Sequence, residues 1–431
     1  MNKNLLTLNQ DINLIKGKQN SSLLLLKNNY KMIQHKIIFN RIVSLLCILF
    51  SVININSQEN KIEIEGVIID NQEQPLPYVS VHIPTKQIGT TSTNEGRFYL
   101  ALNTSNLQDT LVFSSMGFNT YSIKIDDYLK QNISSIILEE AVTSLETVEI
   151  TSASKTKEYV FEAVKQAKNT FLTDNHQLNL LYRRASVEQN VSKFFVEQYM
   201  SIIYKGPISA ITRLEVNESR KSADYRIAPQ KQWDHAAVYM INLNPMTDFY
   251  TPIKKMNWIK IGDTTYDGED VMIVEGTKEK VDRVGTLTTT LYIGYDTFNI
   301  YKIESSAGKC VYQYVKNSDE KLYLSYHKRE YIGRKKISEF HQKNLGLNKP
   351  QIQSAIRHEA IILGVVTDKK QFTAKGYEEH NKELNEINLP YNSEFWNNLS
   401  LPPDTDFYKK IKAELEANYG VPLELQYKAV N

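Results

Sequence analysis

The chain has 431 residues, 41% hydrophobic, 23% charged and 10% aromatic, with 17 glycines and 12 prolines. This composition excludes collagen-like, low-complexity and wholly disordered chains. The length allows two to three domains of roughly 150 residues, and the formal net charge is +2.

The first feature along the chain is an apolar run of about eleven residues, Ile42 to Val52, too short to span a bilayer. It follows Lys36 and Arg41 and leads into Asn54-Ile55-Asn56-Ser57-Gln58-Glu59. That arrangement is the pattern of a secretory signal peptide, with cleavage expected near Ser57 or Gln58. Met32 lies an ordinary distance before the run and offers a second start. A start at Met1 leaves a long leader with another apolar patch at Leu23 to Leu26. Cys47 sits inside the run with apolar residues after it, whereas a lipoprotein signal ends at its cysteine. Removing residues 1–58 takes away seven of the 51 cations and one of the 49 acids, leaving 44 against 48 and a net charge of −4. A slightly acidic chain without a basic stripe argues against nucleic acid as a partner. Only Cys310 remains, so no internal disulfide forms, and the exported chain depends on its apolar core.

Residues 59–142 read as a small all-β sandwich. Short alternating runs at residues 62–69, 78–83, 97–100 and 110–113 are separated by turn formers: Asn71, Pro75, Pro77 and Thr93-Asn94-Glu95-Gly96. The pattern Gly66-Val67-Ile68-Ile69-Asp70, Gln74-Pro75-Leu76-Pro77-Tyr78, Ile88-Gly89-Thr90-Thr91 through Phe98, and Leu111-Val112-Phe113-Ser114-Ser115-Met116-Gly117-Phe118 closely resembles the carboxypeptidase-regulatory-like domain. That family is a transthyretin-like β-sandwich common in exported proteins of Bacteroidetes-type bacteria. The resemblance implies an accessory role in stability, docking or assembly and no catalysis by the sandwich itself. Residues 143–157 read as a linker ending in a polar run, Thr151 to Lys157. The remaining length excludes a receptor with a plug and a 22-stranded barrel.

Residues 158–385 are expected to form a larger α+β antiparallel sheet or half-barrel with one packing helix, so that the whole chain is mainly β. The helix is expected over Glu158–Leu172, where Val160, Val164, Ala167 and Phe171 make one apolar stripe. Strands are expected at residues 180–188, 193–204, 258–262, 271–276, 287–295, 299–305, 311–315, 321–331, 336–342 and 356–366, with Tyr266-Asp267-Gly268 as a tight reversal. The alternation from Leu291 to Glu304 resembles the paired strands of lipoprotein-carrier-like folds, which curl around an apolar cavity. It nominates Tyr292, Tyr295 and Tyr301 as ligand-binding residues. Residues 386–431 are expected to be a tail with a short helix. Its Tyr391 to Trp396 aromatics either stack on a ligand or plug the core. The whole assembly resembles the exported "carboxypeptidase-like regulatory domain-containing" proteins of flavobacteria, a group without an assigned reaction. An integral barrel is disfavoured, because the adjacent charges Arg183-Arg184 and Lys328-Arg329-Glu330 force at least one toward lipid.

The catalytic motifs are weak. His327-Lys328-Arg329-Glu330 and His380-Asn381-Lys382-Glu383 both spell H-x-x-E. The first lies in a strand, where residues three apart face opposite ways and cannot share a metal. The second leaves His380 and Glu383 as the metal candidates, but no histidine follows to complete a carboxypeptidase set. Ser152-Ala153-Ser154-Lys155 spells S-x-x-K within the polar linker. Cys310 reads as a half-buried strand residue with no histidine near in sequence. The acids Asp263, Asp267, Glu269 and Asp270 cluster near a turn and read as a solvated loop or a Ca²⁺ site. The expectation is an exported binding or assembly protein without catalysis or cofactors. Its partner would be an envelope protein or an apolar or peptide ligand, with peripheral association with the outer membrane. The alternatives are an envelope hydrolase acting on peptide or glycan and a purely structural surface protein.

Overall fold

Alternation builds the N-terminal strands. In β4 (Arg97–Asn103), Phe98, Leu100 and Leu102 face inward while Arg97, Tyr99, Ala101 and Asn103 alternate outward. β4 pairs antiparallel with β1 (Lys61–Ile69), which pairs parallel with β7 (Ser135–Ile137). The facing layer is β3 (Ile88–Thr91), β2 (Ser80–Ile83), β5 (Thr110–Ser114) and β6 (Tyr121–Lys124), in that order. Between the layers lie Ile64, Ile68, Val79, Val81, Leu100, Leu111 and Phe113, closed off by Ile125 and Tyr128 of α1 (Ile125–Lys130). Gly96 turns the chain at φ 71°, and a Cβ there would stand 2.4 Å from the Ile68 carbonyl.

The structure, a computed structural model, describes residues 61–141, 152–228 except 210 and 212, 245–246, 255–281, 285–376, 383 and 386–430, together with Lys36 and Arg41. Residues 61–431 form one compact unit. The signal-peptide run and most of the expected linker lie outside the described residues. No helix among the described residues is long and apolar enough to cross a membrane.

The second region opens with α2 (Ala153–Thr170), which starts five residues before the expected position because Ser152 caps it by accepting from the Lys155 amide. The S-x-x-K motif is therefore a helix N-terminus. An antiparallel series follows: β8 (His176–Glu188), β9 (Val191–Tyr204), β10 (Arg213–Lys221), β11 (Asn257–Tyr266), β12 (Glu269–Val281), β13 (Gly285–Gly294), β14 (Ile300–Ser305), β15 (Cys310–Lys316), β16 (Leu322–Lys336) and β17 (Gln351–Val366). β11 to β17 pair in succession, and β17 pairs on through β8 to β9 and β10, curling into a half-barrel. β17 also meets β3 at Gly364 and Ile88, so the sandwich layer and the half-barrel share one 14-stranded sheet.

The expected strand over residues 336–342 is not formed. β16 ends at Lys336, and α3 (Glu339–Asn344) begins where the Ser338 hydroxyl accepts from the His341 amide. Its polar cap outweighs the short alternation there.

The inner face of the sheet packs against α2, where Val160, Ala163, Ala167 and Phe171 meet Leu178, Leu180, Trp258, Leu291 and Tyr312. Trp258 lies directly over Gly276, whose missing side chain makes room for the indole. The outer face is covered by α4 (Ser393–Asn398), α5 (Asp406–Tyr419) and α6 (Leu423–Val430), a larger helical tail than expected. Tyr408, Ile411 and Leu415, one face of α5, pack on Ala185 and Phe195, while Trp396 of α4 packs on Leu181, Tyr326 and Ile361. Of the two readings of the tail aromatics, Trp396 fits the plug.

Candidate functional site

Residues directly opposite one another on paired strands share a face. The pairs Ser219 with Gln198, Gln198 with Tyr182, Tyr182 with Ala360, and Ala360 with His327 therefore draw one line across the inner face of β10, β9, β8, β17 and β16. A second line runs Lys221, Val196, Arg184, His358, Arg329. Ser186 stands beside them, opposite Phe194 and Ile356. Together these side chains form a polar belt on a face that is otherwise apolar, and every one of them is buried.

Burial isolates several polar atoms of the belt, as it does Ser80, His82 and Thr90 in the sandwich. Among the described residues, the Gln198 amide oxygen and nitrogen, the Ser186 and Ser219 hydroxyls and His327 Nε2 have no hydrogen-bond partner. Each such group costs about 1–3 kcal/mol relative to being satisfied, and native proteins leave few of them. The His327 Nδ1 lies 3.0 Å from the Val311 carbonyl. A carbonyl can only accept, so Nδ1 carries the proton and Nε2 offers a lone pair. Burial, reinforced by the charge of Arg329 and opposed by the Val311 hydrogen bond, pushes the His327 pKa down to about 3. The imidazole is therefore neutral and stacks on Tyr312 at 4.3 Å, with His358 5.5 Å away.

Cations flank the belt. Arg226 donates to both carboxylate oxygens of Glu383 at 3.0 Å, and Arg184 lies 3.5 Å from the same carboxylate. Lys221 donates to the Ile387 carbonyl at 2.6 Å and to Asn388 Oδ1 at 2.7 Å. Burial, partly opposed by Glu383 and Asp224, brings the Lys221 pKa down to about 8. Glu188 accepts from the amides of Ile227 and Ala228. This set is rich in hydrogen-bond donors and acceptors. The neutral, low-pKa His327 is a poor general base at neutral pH.

The residues nominated from the sequence lie elsewhere. Tyr292 donates to Glu304 at 3.0 Å, Tyr295 to Asp263 at 2.5 Å and Tyr301 to Glu269 at 2.5 Å. Tyr301 is buried beside Tyr266 at the seam with the sandwich, and Tyr295 faces Tyr159 of α2. The three rings do not converge. His380 lies outside the described residues, and Glu383 is held by arginines. His327 is on the inner face, while Glu330 lies 3.9 Å from Lys309. Cys310 is fully buried, with its thiol donating to the Ala307 carbonyl. The acidic cluster is engaged by the protein: Glu269 accepts from Thr297 and Tyr301, and Asp263 pairs with Lys260. Among the described residues, no three His, Cys, Asp or Glu side chains could hold a metal ion.

The belt itself escaped sequence reading, because Arg184, Gln198 and Ser219 look like solvent-facing strand residues. The one available signal was the charge pair at Arg183-Arg184, which the apolar run around it leaves no exposed strand to carry.

Residues 64–150 match the family model described as CarboxypepD_reg-like domain, which covers the sandwich and agrees with the resemblance read at residues 66–118. No curated protein matches the chain. Among solved structures it is similar to a putative outer membrane lipoprotein-sorting protein domain from Vibrio parahaemolyticus, at 10% identity over 52% of this chain and 97% of that one, with a TM-score of 0.26. It is also similar to a DUF1329 family protein from Desulfovibrio piger, at 8% identity over 50% of this chain and 93% of that one, with a TM-score of 0.19. The fold is thus a mainly β protein that joins a CarboxypepD_reg-like domain to a half-barrel with a buried polar belt.

Proposed function

We propose that this is an exported, non-catalytic binding or assembly protein of the cell envelope. The sandwich serves as its docking module, and the half-barrel holds a ligand on the inner polar belt. The observation that carries the reading is the group of unpartnered polar atoms on Gln198, Ser186, Ser219 and His327, buried on neighbouring strands. Such a set matches the alternating donors and acceptors of a peptide better than an apolar chain, and the apolar part of the inner face is already filled by α2. Tyr292 and Tyr295, which are half-buried, are proposed as outlying aromatic contacts, and Tyr301 as a support at the seam.

The test is native mass spectrometry of the protein released without detergent from its own envelope, beside Gln198→Leu. A bound peptide mass that the variant loses supports the reading. A protein that carries nothing, or a lipid retained equally by the variant, overturns it.

A further inference from the structure

The β16–β17 hairpin runs past the rest of the sheet. β15 pairs with β16 only as far as Lys328, and β8 pairs with β17 only from Ser354 onward. Residues 331–353 therefore stand out as a two-stranded finger closed by α3. The finger is ordered by its own small core: Ile337, Ile352 and Leu347 pack with Ile227 and Ala228. The Ile337 amide donates to the Pro350 carbonyl, and Ser338 caps α3.

On this ordered platform four large apolar or aromatic side chains face solvent. Tyr331 is 37% exposed, Ile332 54%, Phe340 67% and Leu345 48%. Around them residues 331–353 carry five cations, Arg334, Lys335, Lys336, Lys343 and Lys349, and one acid, Glu339. A groove of about 570 Å³ runs alongside, where Arg334, Asn348 and Lys349 stand beside Ile332 and Leu347. Clustered exposed apolar groups mark a binding surface, and cations ringing aromatic and aliphatic tips suit an interface between headgroups and acyl chains.

We propose that the finger docks the protein on an anionic membrane surface. Phe340 and Leu345 enter the acyl boundary, while Arg334 and Lys349 take a phosphodiester headgroup in the groove. An acidic protein would satisfy the cations but would leave Phe340 and Leu345, which stand outside the groove, in water. This deepens the envelope reading by naming the surface that holds the protein there, and it is independent of what the polar belt binds.

The experiment is co-sedimentation of the full chain with vesicles of phosphatidylethanolamine and phosphatidylglycerol, against vesicles of phosphatidylcholine alone. Two variants accompany it, Phe340→Ser with Leu345→Ser, and Lys343→Glu with Lys349→Glu. Comparison with the variants cancels any contribution from residues 1–60. The proposal expects binding to the anionic vesicles, weakened about tenfold or more by either pair, with only the charge pair reducing sensitivity to salt. All four substituted residues are exposed, and an unchanged melting temperature shows that the fold is intact. Failure of the parent to bind anionic vesicles overturns the proposal, as does binding that neither pair weakens. Capture of polyglutamate by the parent in place of vesicles also overturns it and assigns the finger to an acidic protein. Loss of the vesicle result with a peptide still bound at Gln198 would remove the finger's role and leave the belt's intact.

Discussion

β8 and β9 carry two polar clusters on opposite faces, built from adjacent residues. On the outer face Arg183 donates to Glu197 at 2.7 Å and Arg220 donates to it at 2.6 Å, while Lys412 of α5 and Asp404 complete the network. On the inner face, one residue further along each strand, Arg184 and Gln198 belong to the belt. Both clusters are buried, but the outer one is held together by charge pairs, with Asp404 Oδ1 left without a hydrogen bond, whereas the inner one leaves both amide atoms of Gln198 and the Ser186 and Ser219 hydroxyls unmet. A paired buried network fixes the C-terminal helices on the sheet. Unmet groups such as those of Gln198, Ser186 and Ser219 are maintained at a cost in stability, as at a site that binds something.

That contrast predicts opposite responses to similar changes. Glu197→Ala strands Arg183 and Arg220 in the interior and should cost about 3–5 kcal/mol, read as a lower urea midpoint with unchanged slope. A loss under about 1 kcal/mol would show that water reaches the outer cluster and would erase the difference between the faces.

The next largest effect is on acid stability. Burial pushes His327 down to about 3, and His82 and His176 down to about 4. Unfolded histidine titrates near 6.5. Between those values the unfolded chain holds protons that the folded chain does not, so stability falls as pH drops from about 6.5 toward 3. For Glu197, burial favours the neutral acid, but Arg220, Lys412 and Arg183 prevail and hold its pKa well below the usual carboxylate range. Its contribution is present above about 4.5 and is lost only as pH falls through that depressed value. His327→Gln should therefore make the limb from about 6.5 to 3 less steep, His82 and His176 supplying the rest, and leave the more acidic limb unchanged, as followed by denaturation across pH.

Gln198→Leu should move stability the other way, by about 0 to 2 kcal/mol upward, because it replaces two unmet polar atoms with apolar volume. A clear destabilisation would mean that Gln198 is structurally satisfied and that the belt resembles the outer network. The smallest effect belongs to the seam. The Ser400 hydroxyl accepts from the Ala101 amide and donates to the Ala101 carbonyl, at 2.9 and 3.0 Å. Ser400→Ala should cost about 1 kcal/mol in the melting of the whole unit, with sandwich and half-barrel still unfolding together.

Much of the architecture was legible because it depends on local pattern. Alternation located most strands of both regions, and Asp267-Gly268, with φ values of 52° and 76°, makes the expected reversal between β11 and β12. β10 was missed, since its run Arg213-Leu214-Glu215-Val216-Asn217-Glu218-Ser219-Arg220-Lys221 reads as a solvated segment. Its burial depends on Glu197, 23 residues away. The same blindness hid Arg184 and Arg329, two of the largest fully buried side chains. A charged residue in a sequence carries no label for the partner that lets it enter a core.

The sequence alone determined the sandwich, the apolar stripe of α2 and the β-rich character of the remainder, because turn chemistry and periodicity act over a few residues. Tertiary structure decided the rest. Joining β3 to β17 made one sheet of two regions, and the tail helices covered the outer charges. The inner face collected Gln198, Ser219 and His327 from strands far apart in the chain. Those outcomes rest on desolvation and long-range pairing, whose sign depends on what else is nearby and so appears only when the chain is folded.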